Sequence, residues 1–487
     1  MPDPSFRRRL LRAWLAAAAG FCALPALAGD RPATQQGAQA LKDLIAKVLP
    51  VSPEGQALVS VKPDGTAYVI SADLAAWNAV MRAAGATASY DPAVLVYRAT
   101  EQDDGKWRVT QDSLPTITSR AGEVVSTVEV ANFRQTMTID PTIAWWTGGS
   151  ASADKGAIAV KGPGFAQGFA FGPAKADYAT TVKPDGSVST AIKEEVSDID
   201  VKAAMAGKQG DPANVSAQIE KAAFNVGADG LKSRKLFDLW MLVAVGRDQL
   251  ASREAELKGL LREIAAPGLK FAEGGEATKA VIASPVGAIA LADVKAAFGL
   301  ANAGPESALD ATLSLAGLSL PVGLAPPGAA DLTPSLVDVT ATFKGFDFAA
   351  AASAAIDALK VTKDGVEIPD EDGPKVMAAL LGPGPLRVDV APSHILAPAI
   401  DADFQGAVRY AVGKASGQMT IRVRHFDKTM AAIKGLGPEI QLQAMPAIAM
   451  AKGLAKADGD GTLSWVVELG EDRSIKVNGI PLGRAPG

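Results

Sequence analysis

The sequence predicts an α+β protein built mainly from antiparallel β-sheet. Apolar and polar residues alternate with a period of two over most of the chain, and turns rich in Pro, Asp and Gly separate neighbouring runs. One long segment, residues 231–266, has the helical period instead. Because neighbouring hairpins form antiparallel sheets, the pattern favours α+β over α/β. We expect long curved sheets of hairpins packed on a long central helix, arranged as one sheet or as two lobes.

The first elements are a helix and a series of hairpins. Residues 35–49 carry one apolar stripe at spacings of three and four, which predicts a helix. Residues 57–71 predict two strands around Pro63-Asp64-Gly65, since proline presets φ and glycine accepts a positive φ. A second hairpin joins 94–100 to 107–111, and 124–139 predicts one long or two short strands.

The longest helical pattern runs from Leu231 to Ala266 and ends at Pro267-Gly268. An unbroken helix of this length would span about 54 Å at 1.5 Å per residue. Gly246 and Gly259 are the positions where it could break. The stripe is read as ordinary core in preference to a membrane-active surface, because the opposite face mixes acidic and basic side chains.

A second β-rich region follows, with a helix at 440–457 and a closing hairpin over 461–479. Residues 203–230 are polar and small and predict a junction. The predicted organisation is a signal peptide at 1–28, an N-terminal β-rich region with a leading helix at 29–230, a long helix at 231–268 and a C-terminal β-rich region at 269–487.

The first 28 residues have the features of an export signal. Arg7, Arg8, Arg9 and Arg12 form a basic start, residues 13–28 carry no charge, and Ala26-Leu27-Ala28 is a small-residue cleavage site. We therefore expect cleavage near Ala28-Gly29 and a periplasmic or otherwise extracytoplasmic protein. The arginine run fits both the general secretory and the twin-arginine route, and both stay open.

Signal cleavage changes the composition of the working chain. It removes four of the 48 Lys and Arg residues and one of the 53 Asp and Glu residues, so the formal net charge changes from −5 to −8. It also removes Cys22, the one cysteine of the sequence. The cleaved chain can therefore form no disulfide and has no thiol for catalysis or metal binding. An acidic chain without basic clusters argues against nucleic-acid binding. After the signal, no apolar run reaches spanning length.

Motifs for catalysis and metal binding are largely absent. The sequence has two histidines, His394 and His425, and neither forms a pair at helical spacing. The nucleophile-elbow pattern is absent, and Ser152-Ala-Asp-Lys155 lacks the further motifs of penicillin-recognising enzymes. The acidic runs at 370–372 and 458–461 lack the spacing of a calcium loop. We expect no cofactor, no metal and no enzymatic activity, although paired carboxylates have no sequence motif and a carboxylate-dependent hydrolase stays an alternative.

The candidate site is apolar. In a chain poor in aromatic residues, one segment predicts an aromatic cluster, most of which is formed by Trp145, Trp146, Phe165, Phe169 and Phe171. These side chains could line a groove for a lipid or another hydrophobic ligand. Ordinary packing in the core of a sheet is the competing interpretation.

The second half of the chain resembles a known group of envelope proteins. Residues 257–264 followed by strands through 278–290 are similar to a segment of YdgA-like periplasmic proteins in which a helix leads into a sheet. Gly461-Thr-Leu-Ser-Trp465 and the run from Ser474 to Leu482 resemble the closing hairpin of that group and of an alphaproteobacterial extracytoplasmic family of unknown function, the DUF2125 type. The resemblance implies extended sheets in the cell envelope, loosely like the AsmA group associated with lipid handling. It implies no catalytic residue.

These observations lead to three hypotheses. The first is a non-enzymatic periplasmic or envelope protein that binds an apolar ligand, such as a lipid or an envelope component. The second is a structural or interaction protein of the envelope that uses the exposed edges of its sheets. The third is the carboxylate-dependent hydrolase. The oligomeric state is left open.

Overall fold

The computed structural model describes residues 32–49, 55, 57–83, 86–206, 212–245, 247–321, 324, 329–362, 365–382, 384–411, 414–458 and 461–484. The predicted signal segment, residues 1–28, lies outside them. The described chain is mostly antiparallel strand with eight α-helices, so the predicted α+β class is confirmed. Among these helices, none combines the length and the apolar character that a bilayer crossing requires.

The described chain divides into two compact units. The first unit contains the described residues up to Ala213 together with Gly227–Ala265 and Ile356–Pro369. The second contains Asn214–Val226, Ala266–Ala355 and the described residues from Asp370 onward. Each unit therefore draws on separated parts of the sequence.

The first unit contains the first thirteen strands, two later short strands and the first four helices. The helices are α1 (Gln35–Val48), α2 (Leu74–Ala83), α3 (Ser233–Val245) and α4 (Glu254–Ala265). The strands are β1 (Val59–Asp64), β2 (Ala67–Asp73), β3 (Ala88–Tyr90), β4 (Val94–Glu101), β5 (Trp107–Gln111), β6 (Ile117–Ala121), β7 (Val124–Ala131), β8 (Arg134–Asp140), β9 (Trp145–Ala153), β10 (Lys155–Gly162), β11 (Phe165–Phe171), β12 (Ala174–Val182) and β13 (Val188–Ala206). Two boundaries between the units fall within the predicted junction at 203–230, and most of this range is a further strand, β14 (Pro212–Leu231).

The sheet of the first unit is an antiparallel meander with a crease. Its strand order is β1-β2-β4-β5-β8-β9-β12-β13-β11-β10-β7-β6-β3, since β13 pairs with β12 through its first half and with β11 through its second. Strands β7 and β8 meet at Asn132, and the long β13 bends at Asp198; both residues have positive φ, 52° and 53°. The alternating run at 124–139 is thus two strands.

Helix α1 covers part of this sheet and creates the main core of the first unit. Thr34 caps the helix by accepting a hydrogen bond from the Gly37 amide at 3.0 Å. Leu41 and Ile45, one turn apart, are buried on the helix face that meets Ala99 of β4. The alternation of β1, β2, β4 and β5 and the helical stripe of α1 therefore serve one core.

The segment predicted as one long helix over 231–268 is instead a helical hairpin. Helix α3 ends at Val245, a 3₁₀ segment covers Arg247–Arg253, and α4 begins at Glu254. Lys235 Nζ lies 2.9 Å from Glu263 Oε2, whereas a straight helix would separate these residues by about 42 Å. Gly246 and Ser252 weaken the helix propensity between the two halves. Folding back also buries apolar side chains together: Leu242, Leu250, Leu257, Leu260 and Leu359.

The second unit is built on one antiparallel meander. Its strand order is β15 (Lys270–Ser284), β16 (Gly287–Ala301), β17 (Ser307–Ala316), β18 (Leu336–Phe346), β21 (Leu386–Ala397), β22 (Ile400–Ala411), β23 (Lys414–Arg424), β25 (Leu463–Leu469), β26 (Ser474–Val477) and β27 (Ile480–Arg484). The short strand β24 (Lys456–Ala457) also belongs to this unit, whereas β19 (Lys360–Thr362) and β20 (Gly365–Glu367) pair with each other and belong to the first unit. The remaining helices are α5 (Phe348–Ala358), α6 (Gly373–Leu381), α7 (Phe426–Lys434) and α8 (Pro438–Leu454).

Candidate functional site

The sheet of the second unit has one apolar face and one polar face. Residues directly opposite each other in neighbouring strands project to the same side of a sheet, and alternate residues project to the other side. One row of such partners runs across nine strands, and its side chains are apolar: Phe271, Leu300, Leu309, Phe343, Val388, Val408, Gly417, Leu469 and Ile475. We call the side to which this row belongs the apolar face.

Further rows extend the apolar face along the strands. The next row, two residues away, contains Phe298, Ala311, Ala341, Val390, Gly406, Met419, Val467 and Val477, and its member on β15 is the charged Glu273, opposite Phe298. Beyond it, Leu313 lies opposite Val339, and Ile421 lies opposite Trp465. With strands about 4.8 Å apart, the nine strands make the face roughly 38 Å wide.

Large hydrophobic side chains on the apolar face remain accessible to solvent. Their exposed fractions lie between 36% and 50%, and they are Val281, Phe298, Leu313, Val408 and Tyr410. Soluble proteins rarely expose a continuous apolar patch of more than a few hundred Å², and larger patches mark binding sites. The apolar face has the composition of a hydrophobic core, but the described residues of the second unit cover it only in part.

Helices cover one end of the apolar face. Trp465 is buried there, and its Nε1 donates a hydrogen bond to the Ala451 carbonyl of α8 at 2.8 Å. The ring of Phe426, the first residue of α7, lies 5.7 Å from the Trp465 ring. At the other side of the sheet, the Phe224 ring of β14 packs over Gly275, where the missing side chain leaves room for it.

The polar face carries a shallow hollow of about 800 Å³. Polar side chains of β22, β23, β25 and β26 line it, including Gln405, Arg409, Gln418, Glu468 and Lys476. Hydrolysis by paired carboxylates needs two acids on either side of the scissile bond. Glu468 is the one acidic residue among those that line the hollow, so this hollow does not favour a hydrolase.

A charged cluster that the sequence analysis missed lies on the same polar face. His394 Nδ1 is 3.1 Å from Asp403 Oδ1, and His394 Nε2 is 3.5 Å from Asp401 Oδ1. Arg424 pairs with both aspartates, at 2.7 Å to Asp401, and these two hydrogen bonds raise the pKa of Arg424. The pattern Asp-x-Asp at 401–403 was the available signal, since a period of two places both acids on one side of a strand.

This cluster is an ion-pair network of the sheet surface. In register, Asp338 of β18 lies opposite His394, His394 lies opposite Asp403, and Asp403 lies opposite Arg422, so four neighbouring strands contribute polar side chains to one row. Within the described residues, no group of three or more His, Cys, Asp and Glu side chains has an arrangement that could hold a metal ion.

The five predicted aromatic residues belong to two separate groups. Trp145 and Trp146 lie on β9 with ring centroids 5.8 Å apart, and Trp146 meets Tyr178 edge-on at 5.7 Å. Phe169 and Phe171 of β11 are 5.8 Å apart. In the described structure, no ring contact joins the tryptophans to the phenylalanines.

The hairpin register explains why the aromatic residues separate. Strands β9 and β10 pair with β12 and β11 in one continuous register, so Phe165 lies opposite Gly162 beside the turn, whereas Trp145 and Trp146 begin β9 at the opposite end of the hairpin. Phe165 and Phe171 pack over Gly162 and Gly156 of β10, which leave room for their rings. All five predicted side chains are half-buried. Their predicted role in ligand binding stays a prediction, and the sequence did not single out the apolar face of the second unit.

Comparison of the chain with protein-family models, with curated proteins and with solved structures finds no match. Function is therefore inferred from the chemistry of the surfaces themselves.

Proposed function

We propose that this chain is a non-enzymatic protein of the periplasm or cell envelope that binds an apolar ligand on the apolar face of the second unit. The ligand class is the acyl chain of a lipid or an apolar envelope component. The supporting observation is the set of large hydrophobic side chains on this face that are 36–50% exposed. Covering them removes apolar surface from water, which stabilises a complex by roughly 25 cal/mol per Å².

The dimensions of the face support a lipid chain as ligand. The face is roughly 38 Å wide across the strands. One leaflet of a bilayer has a hydrocarbon depth of about 15 Å, half of the roughly 30 Å core. An extended acyl chain therefore fits on the rows that contain Phe298 and Leu313 without reaching the edge strands.

Binding can be tested by identifying a co-purified ligand and by displacement. We expect organic extraction of the purified protein to release lipid that mass spectrometry detects. A fluorescent fatty acid should bind, and the double substitution Phe298→Gln with Leu313→Gln should weaken that binding roughly tenfold, since two apolar contacts are lost.

The matched control lies on the same strand. Ala297 is exposed and adjacent to Phe298, so it projects to the polar face. Ala297→Gln should leave fatty-acid affinity unchanged. A lipid-free protein that fails to bind the probe, or equal losses in both variants, would contradict the proposal.

The proposed location depends on the export signal. We propose cleavage near Ala28-Gly29 and membership of the extracytoplasmic family that the second half of the chain resembles. N-terminal sequencing of the protein purified from producing cells should give a chain that starts near Gly29. A chain that retains Met1 in the cytoplasmic fraction would contradict the location without affecting the binding test.

An interaction role is the second candidate, and the edge of the second sheet supports it. Strand β27 is exposed along its whole length, with Ile480 at 48% and Leu482 at 45% exposure, and in the described structure it pairs with β26 alone. An exposed apolar edge strand can add a strand from a partner. A protein cross-linked at β27 in a preparation without bound lipid would favour this candidate.

A further inference from the structure

Helix α8 has an apolar side that the described protein leaves uncovered. Its inward stripe is half-buried and contains Gln441, Ala444, Met445, Ile448 and Ala451, at spacings of three and four. Its outward stripe contains Leu442, Pro446 and Met450, each four residues from the next. Leu442 is 81% exposed and Met450 is 58% exposed. Both sides of the helix are therefore apolar, and one of them faces solvent.

An outward apolar stripe is unusual for a surface helix. Such a helix normally places polar residues opposite its buried face. Leu442 is also the most exposed of the large hydrophobic residues in the described chain; the next is Val286, in the turn between β15 and β16, at 63%. A binding partner that covers Leu442 and Met450 would remove this apolar surface from water.

The charge around α8 differs in sign from that of the whole chain. Residues 426–457 contain four lysines and two acids, a net charge of +2, whereas the sequence as a whole carries −5. Lys452 pairs with Asp427 at 2.7 Å. The other lysines have no ion-pair partner among the described residues: Lys428, Lys434 and Lys456. A net positive charge on α7, α8 and β24, together with the exposed apolar stripe of α8, fits a surface that combines hydrocarbon with negative charge.

We propose that the outward face of α8 docks on the surface of a lipid bilayer that contains anionic headgroups. Leu442 and Met450 enter the boundary between headgroups and acyl chains, and the lysines meet the phosphates. A symmetric contact between two copies is disfavoured, because it would bring the same lysines together. This docking goes beyond the proposed ligand binding and does not depend on it, since the two surfaces use different residues.

Docking can be measured by co-sedimentation with vesicles. The probe vesicles contain phosphatidylcholine alone or phosphatidylcholine mixed with phosphatidylglycerol, and the protein is purified from the cells that produce it. We expect binding to the mixed vesicles, which added salt weakens. The double substitution Leu442→Gln with Met450→Gln should weaken the binding roughly tenfold or more, because both buried side chains are lost.

A control variant and a measurement of folding accompany the vesicle experiment. Val286→Gln removes another exposed hydrophobic side chain and should bind vesicles as the unchanged protein does. Circular dichroism of all variants establishes that they fold. The fatty-acid probe separates the two proposals: Leu442→Gln with Met450→Gln should keep fatty-acid binding, and Phe298→Gln with Leu313→Gln should keep vesicle binding.

Three results would overturn the docking proposal. The first is a failure of the unchanged protein to bind anionic vesicles. The second is equal vesicle binding by the unchanged protein and the Leu442→Gln, Met450→Gln variant. The third is a dimer in analytical ultracentrifugation that this variant abolishes, which would assign the stripe to contact with a second copy.

Discussion

The two units use the same alternating strands, but their apolar faces differ in what covers them. In the first unit, α1 lies on the sheet, and Leu41 and Ala99 are 1% and 0% exposed. In the second unit, Leu313 and Phe298 on the apolar face are 43% and 41% exposed. Alternation therefore identifies the apolar side of a sheet, and a covering element decides whether that side is core or surface.

The largest effect should come from truncating the covered face. Leu41→Ala leaves a cavity between α1 and the sheet of the first unit, and we expect it to lower the free energy of unfolding by about 2–5 kcal/mol. Urea unfolding followed by circular dichroism measures this loss. A change below about 1 kcal/mol would mean that α1 does not seal this core.

A second effect should appear at alkaline pH. Burial raises the pKa of Tyr97, which packs against the core under α1, from 10.0 to about 12. The folded state favours the neutral phenol, so this contribution is complete below pH 10 and is lost as the pH rises through 12. Two pKa units correspond to at most about 3 kcal/mol.

Absorbance titration of the tyrosines measures this ionisation directly. The unchanged protein should show a component near pH 12 that Tyr97→Phe removes. If Tyr97→Phe leaves the most alkaline component in place, that component belongs to another tyrosine. Water would then reach Tyr97 more readily than the structure indicates.

A smaller effect is expected on the polar face of the second unit. Arg424→Met removes the cation shared by Asp401 and Asp403, and we expect a loss of about 1 kcal/mol because these groups are partly exposed. The loss should shrink at high salt. Arg409→Met, an exposed arginine of β22 on the same polar face without an ion pair among the described residues, is the matched control, and an equal loss in both variants would show that the network has no special contribution.

The smallest effect on stability should come from the uncovered face. Leu313→Ala deletes the same atoms as Leu41→Ala, yet we expect a loss below about 1 kcal/mol because Leu313 is already 43% exposed. The same urea experiment compares the two leucines directly. A loss as large as that of Leu41→Ala would show that Leu313 is covered in solution, and it would remove the basis for ligand binding there.

Local patterns predicted many elements because their causes are local. The α1 stripe, the hairpin at 59–73 and the hairpin of β12 and β13 depend on residues close in sequence, and all three are present. The helical hairpin was not predictable in the same way. Its stability comes from contacts such as Lys235 with Glu263, which lie 28 residues apart.

The candidate surfaces depended even more on long-range pairing. The aromatic residues near 145–171 are close in sequence, but the hairpin register places the tryptophans and the phenylalanines in different halves of the hairpin. His394 gains its neighbours only through the register of β21, β22 and β23, which sequence periodicity does not supply. The sequence shows that Leu442 is hydrophobic, but it does not show that the side chain is 81% exposed. That exposure results from the opposite side of α8 packing against Trp465.

The sequence alone determined the α+β class, the positions of most hairpins and which residues alternate on a strand, because backbone geometry converts a period of two into two faces. It also predicted the export signal, which N-terminal sequencing can test. Only the tertiary structure decided that the long helical segment folds back and that the apolar face of the second sheet is partly bare. Whether the apolar face of a sheet is covered depends on where segments distant in sequence pack. The hydrophobic effect that drives this packing is non-directional, so a local sequence pattern does not specify which segment covers the face.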